Sequence, residues 1–202
     1  ENADHKRHMF SDSVSEAIKM NFEEKTLSEK NVFDGKLIKV AVEEVETPKG
    51  LKAQREIVHH APAVAILALT ADHKMILEKQ WRSPIHDTTL EIPAGKVDSR
   101  DSRDALHAAK GELNEETRLK AGTIKKISSF YTSVGVLDEF MTLYLATDLT
   151  PVENKLPQDR DEQLVLEKGT LDEALKMIDE GQIEDAKTIM AIYYWRGMTN
   201  HG

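Results

Sequence analysis

The chain has 202 residues, of which 40% are apolar and 31% charged; its formal net charge is −9 and it contains no cysteine. These values fit one sizeable domain with a small appendage. They exclude disulfides, thiolate zinc sites and cysteine nucleophiles, and they disfavour nucleic acid, which is bound by basic patches. No apolar run is long enough for a membrane-spanning helix and no secretory h-region is visible, so a reducing cytoplasm is the expected compartment.

Residues 1–19 pattern weakly and read as a tail or extension, with Met20 as a natural start. Leu37 to Thr47 alternates and is rich in Val and Ile, which predicts a strand. Pro48-Lys49-Gly50 signals a turn, and Ala53 to His59 predicts the returning strand. Residues 20–58 therefore read as a small antiparallel sheet, and residues 59–202 as the main domain. Pro62 to Thr70 is a continuous apolar run, the pattern of a strand buried on both faces. The segment MILEKQW and residues Thr88 to Ile92 predict two further strands, the second leading into Pro93-Ala94-Gly95. Asp104 to Thr117 has helical spacing, with Ala105, Leu106, Ala109 and Leu113 on one arc. Thr123 to Tyr131, Met141 to Thr147 and Gln163 to Glu167 read as strands, with a polar loop over residues 148–162. Leu171 to Glu180 and Asp185 to Arg196 read as amphipathic helices. Strands with interspersed helices predict an α/β layered domain.

Glu112 and Glu116 lie one turn apart on the predicted helix, with Glu115 beside them. Such a cluster is either a solvated acidic face or a group of hard oxygen ligands for magnesium or manganese. The strand ending in Pro-Ala-Gly brings a backbone carbonyl near Ala94 toward the same region, and Gly95 permits close approach. His59 and His60 are adjacent, point to opposite faces of a strand and read as structural.

The segment GKVDSRDSRDALHAAKGELNEETRL resembles the Nudix box: a glycine, five residues, Glu, seven residues, then Arg-Glu-apolar-x-Glu-Glu-x-Gly-apolar. Gly95, Glu112, Leu113, Glu115, Glu116 and Leu119 match it. Outside the box, REIVHH, AVAIL, EKQWRSPI, LEIPAGK, SSFYTSVG and LDEALKMIDEGQIEDAKTI resemble the ADP-ribose pyrophosphatase branch, over roughly residues 21–195. The departures are an insertion of two residues between Gly95 and Glu112, Asp101 near the place of the early Glu, Gly111 where the family has Arg, and Arg118 where it has Gly.

The resemblance implies an α/β/α sandwich with a mixed sheet, plus the small N-terminal antiparallel sheet. It implies magnesium (manganese possible) held by the Ala94 carbonyl, Glu112 and Glu116, with Glu115 contributing to catalysis. It places the general base on Glu162 in the loop QDRDEQ, with Asp161 and Asp159 as alternatives. Arg55 and Arg82 match arginines that contact phosphates or the terminal ribose, and Gly135 and Glu139 lie in a loop bordering that ribose. Phe33 or Trp81 stacks on adenine or packs in the core. The implied reaction is hydrolysis of ADP-ribose to AMP and ribose 5-phosphate. Open alternatives are another nucleotide sugar or dinucleotide, or a degenerate domain that binds nucleotide without turnover, which Gly111 keeps in view. The resemblance also implies a homodimer in which residues 20–58 are exchanged.

Overall fold

The structure is a computed structural model and describes residues 21–97, 104–157 and 163–199. Two compact units emerge, one ending at Val58 and the other beginning at His59.

The first unit is a three-stranded sheet in the order β1 (Lys25–Asp34), β2 (Ile38–Glu46), β3 (Lys52–His60). β1 pairs antiparallel with β2, from Lys25 opposite Glu46 to Asp34 opposite Lys39. The predicted turn at Pro48-Lys49-Gly50 forms, with Gly50 at φ 76° and its N–H donating to the Thr47 carbonyl at 2.8 Å. Every residue of β1 is exposed, and within this sheet only Ala41 and Val45 are buried.

The second unit contains two sheets. β4 (Ala63–Ala68) lies inside a four-stranded mixed sheet with β7 (Ala94–Lys96), β9 (Phe140–Pro151) and β8 (Leu119–Tyr131), in the order β7-β4-β9-β8. β4 runs parallel to β9 and antiparallel to β7. The second sheet is antiparallel, β10 (Leu164–Gly169), β5 (Met75–Arg82), β6 (Asp87–Glu91). Among the described residues, three helices complete the unit: α1 (Ala105–Thr117), α2 (Leu171–Asp179) and α3 (Ala186–Thr199).

The apolar run of β4 explains the layering. Successive side chains of a strand point to opposite faces. Val64, Ile66 and Ala68 pack with Ala108, Ala109 and Leu113 of α1. Ala63, Ala65 and Leu67 pack instead with residues of α2 and α3, including Ala174, Ala191, Ile192 and Trp195. All six β4 residues are buried, as a strand covered on both faces requires.

α1 begins at Asp104, whose side chain accepts from the Leu106 N–H at 3.0 Å, an N-cap that satisfies one of the orphan donors of the first turn. Its buried positions are Ala108, Ala109, Leu113, Glu116 and Thr117. The predicted arc is thus displaced by most of a turn toward the C-terminus, because Ala105 and Leu106 in the first turn lie at the margin of the core. The helix stops at Arg118, which takes the left-handed conformation (φ 62°, ψ 25°) and donates its N–H to the Asn114 carbonyl. Glycine favours that conformation; an L-residue with a Cβ pays roughly 1–2 kcal/mol for it. α2 carries a full capping box between Thr170 and Glu173. The predicted strand at Met141 to Thr147 is longer than expected, because pairing with β8 continues to Leu119 opposite Pro151.

Candidate active site

The Pro-Ala-Gly segment and α1 meet at one place. β7 is an edge strand, and its odd residues face β4: the Pro93 carbonyl accepts from the Ile66 N–H, and the Val97 N–H donates to the Pro62 carbonyl, both at 2.8 Å. Alternation along an antiparallel ladder then turns the N–H and carbonyl of Ala94 outward, away from β4. The outward N–H donates to Glu116 Oε2 at 3.2 Å. Glu116 is 5% exposed.

Glu112, one turn earlier, lies against the next residue. A Cβ built on Gly95 would fall 2.0 Å from Glu112 Cδ and Oε1. Gly95 is therefore a cradle for this carboxylate, and any larger residue would displace it. The structure brings Ala94, Gly95, Glu112 and Glu116 together. Two carboxylates and an outward carbonyl are hard oxygen donors, the chemistry that suits a divalent cation such as magnesium. Among the described residues, no three carboxylates or imidazoles are already gathered as a metal cage; the set that fits includes a backbone oxygen. Glu115 projects on the Gly111 side, with its Oε1 3.8 Å from where a Gly111 Cβ would sit.

Arg82 ends β5. Its Nε and Nη2 form a fork with Glu91 Oε1 and Oε2, each at 2.6 Å. Glu91 is 3% exposed and also accepts from the Thr89 hydroxyl and from Lys187 Nζ, the latter at 2.5 Å. Lys187 Nζ is in turn 3.1 Å from Asp185 Oδ2. Burial pushes the Glu91 carboxyl up, but the hydrogen bonds and charges of Arg82, Lys187 and Thr89 outweigh it and hold the pKa at about 2. The guanidinium of Arg82 is raised by its hydrogen bonds to Glu91, against the cost of burial, and the charges of Asp185 and Glu116 add to the effect. Arg82 therefore feels the Glu116 carboxylate of α1, while its side chain remains 42% exposed.

The other expected residues have defined partners. Arg55 is forked to Glu24, with Nε at 2.9 Å and Nη2 at 2.5 Å. Glu139 accepts from the Thr132 hydroxyl at 2.7 Å and lies 3.0 Å from His60 Nδ1. His59 contacts Asp138 at 2.7 Å, and the His60 N–H donates to Asp138 at 2.8 Å. The two histidines thus fasten the end of the loop that holds Gly135, an exposed residue with no atom within 4 Å of an added Cβ. Phe33 and Trp81 are 54% and 55% exposed, so neither is core packing. Glu162, Asp161, Asp159 and Asp101 lie outside the described residues.

Sequence reasoning missed Glu91 and Lys187. Glu91 is visible as the acid of LEIPAG, two residues before Pro93. Lys187 sits in the first turn of α3, and only its burial distinguishes it from a solvated lysine.

The NUDIX domain family matches residues 59–191. An ADP-ribose pyrophosphatase of Bacillus subtilis is 42% identical, over 86% of this chain and 93% of its own. A protein of Bacillus methanolicus named methanol dehydrogenase activator is 41% identical, over 86% and 92% respectively. A crystal structure titled ADP compounds hydrolase superposes with a TM-score of 0.77 at 19% identity, covering 89% of this chain and 95% of that one; it supports the fold. Members of this family are generally dependent on divalent metal, and no helix among the described residues is long and apolar enough to cross a membrane. With the family matched over residues 59–191 and a relative 42% identical over most of both chains, the chain belongs to the Nudix hydrolases.

Proposed function

We propose that this Nudix hydrolase uses magnesium to cleave the pyrophosphate of ADP-ribose, yielding AMP and ribose 5-phosphate. The observation that carries the substrate is the 42% identity, over nearly the whole of both chains, to the Bacillus subtilis ADP-ribose pyrophosphatase. The chemistry is supported by Glu112 and Glu116 meeting Ala94 and Gly95 at one edge.

In this reading Ala94, Glu112 and Glu116 hold the metal, with manganese an acceptable substitute. Magnesium bound there would polarise the pyrophosphate and lower the pKa of a water. Arg82 presents to the phosphates the side of its guanidinium that Glu91 does not occupy. Arg55 binds substrate, a role that rests on its place in the resemblance. Glu115 assists from the same helix, and the Gly135–Glu139 loop borders the terminal ribose. Glu162 takes the proton of the attacking water, a role that rests on its place in the resemblance. The N-terminal sheet supports a homodimer with exchanged strands.

The test is magnesium-dependent hydrolysis across ADP-ribose, other nucleotide sugars and dinucleotides. Preference for ADP-ribose with AMP as product is expected. Turnover of another compound alone would overturn the substrate, and binding without turnover of any would overturn the hydrolase reading.

A further inference from the structure

Lys187 breaks two local rules. It lies in the first turn of α3, where the helix dipole disfavours a cation. It is also 9% exposed, a burial that lysine adopts only when paired. Its ammonium reaches Glu91 Oε2 at 2.5 Å and Asp185 Oδ2 at 3.1 Å. Asp185 is held by α3 itself, accepting from the Thr188 N–H at 3.0 Å and the Thr188 hydroxyl at 2.5 Å. The Thr188 hydroxyl accepts in turn from the Ile92 N–H at 2.9 Å. The start of α3 is thus bolted to the end of β6, immediately before Pro93 and Ala94.

Glu91 distributes its two oxygens without remainder between these groups and Arg82. Oε1 takes Arg82 Nε and the Thr89 hydroxyl; Oε2 takes Arg82 Nη2 and Lys187 Nζ. Arg82 must fold back along the sheet to do this, because its cross-strand partner is Asp87, four residues before Glu91. The fork occupies Nε and one Nη2 hydrogen, so Nη1 stays outside it. Arg82, Lys187, Glu91 and Asp185 sum to zero charge, so the two buried members, Glu91 and Lys187, are not left as uncompensated ions.

We infer that Lys187 is a positioning residue for pyrophosphate binding: acting through Glu91, it fixes the Arg82 guanidinium with its Nη1 edge presented to substrate. This rests on the pyrophosphate reading above. Without Lys187, the Glu91 carboxylate loses the bond that anchors it to α3, and the Glu91–Arg82 pair is free to shift together.

A double-mutant cycle in the full-length protein tests it, using magnesium and a methylene-bridged, non-hydrolysable ADP-ribose titrated by calorimetry. Lys187→Met is expected to weaken binding about tenfold, and to change it by less than about twofold when Arg82 is already Ala, since coupled residues are non-additive. Equal losses in both backgrounds would overturn the inference. Should Lys187→Met fail to fold, Lys187→Gln, which keeps an N–H donor for Glu91, takes its place in the same cycle. A second readout is the Arg82 Nε–H resonance, expected to be resolved and slow to exchange in the wild type and broadened or shifted in the variant. An unchanged resonance would also overturn it. Wild type that binds no pyrophosphate compound would count against the functional reading instead, and the Arg82 resonance alone would then decide whether Lys187 fixes this arginine.

Discussion

The carboxylate of Glu112 occupies the space in which a side chain at position 95 would begin, 2.0 Å from the Cβ that Gly95 lacks. The φ of Gly95 is not positive, so the need for glycine here is one of space and not of backbone conformation. Gly95→Ala is expected to fold, to displace Glu112, and to lower kcat/KM at least about a hundredfold, as loss of aligned charge at a reacting centre does. The magnesium concentration for half-maximal activity should rise. Full activity in Gly95→Ala would show that Glu112 works from another position.

Gly111 lies inside α1, and a Cβ there would meet only Glu115 Oε1 at 3.8 Å, an ordinary contact. Gly111→Ala should therefore stabilise the protein by up to about 1 kcal/mol in chemical denaturation. Gly111→Arg, which restores the family residue, should leave activity unchanged or raise it. A large loss of turnover would mean that the open space beside Glu115 is itself used.

The depressed pKa of Glu91 has a consequence for stability at low pH. Its folded pKa of about 2 lies below the ordinary value of 4.5. The contribution is complete above pH 4.5 and disappears as the pH falls toward 2, and it is on the order of 3 kcal/mol. Urea denaturation across this window should show a smaller pH dependence in Glu91→Gln than in the wild type. Asp138 is also lowered, where hydrogen bonds from His59 and from the His60 N–H outweigh burial, but its exposed side chain should contribute far less.

Asn114 ties α1 to the strand of chain that leads toward Glu162. Its amide donates to the Asn154 carbonyl at 3.0 Å and accepts from the Leu156 N–H at 3.2 Å. Arg118 adds a hydrogen bond to the Leu156 carbonyl, and its own carbonyl accepts from the Val152 N–H at 3.1 Å. Asn114→Ala should lower kcat about tenfold by loosening this stem, with KM nearly unchanged. Glu162→Gln should reduce turnover far more than binding, and the double variant should be little worse than Glu162→Gln alone. Additive losses would separate Asn114 from the role proposed for Glu162.

The N-terminal sheet exposes Phe22, Val32, Phe33, Leu37 and Leu51, each by more than half, on and beside an edge strand. A particle of twice the 22.8 kDa chain mass is expected by light scattering. Val32→Lys combined with Phe33→Asp should shift it to monomer. A wild-type monomer would sink the exchanged-dimer proposal.

Much of this molecule was legible in the sequence, and for identifiable reasons. Continuous burial of β4 follows from its unbroken apolar run, and the placing of Glu112 and Glu116 on one helix face follows from a period of 3.6. Gly95 stood out as a place of close approach, and the structure shows that the approach is that of the Glu112 carboxylate. Tertiary structure alone decided the rest. The fork between Arg82 and Glu91 spans β5 and β6, and Lys187 joins it from 96 residues away; no local period records such pairing. Likewise Arg118 looked like a departure from a glycine position, and only the fold shows it holding the left-handed turn and reaching the Leu156 carbonyl. Patterns of burial repeat along the chain and can be read from it. Which buried charge meets which partner depends on how distant elements pack, because a charge is retained at low exposure only where the fold supplies its counterion.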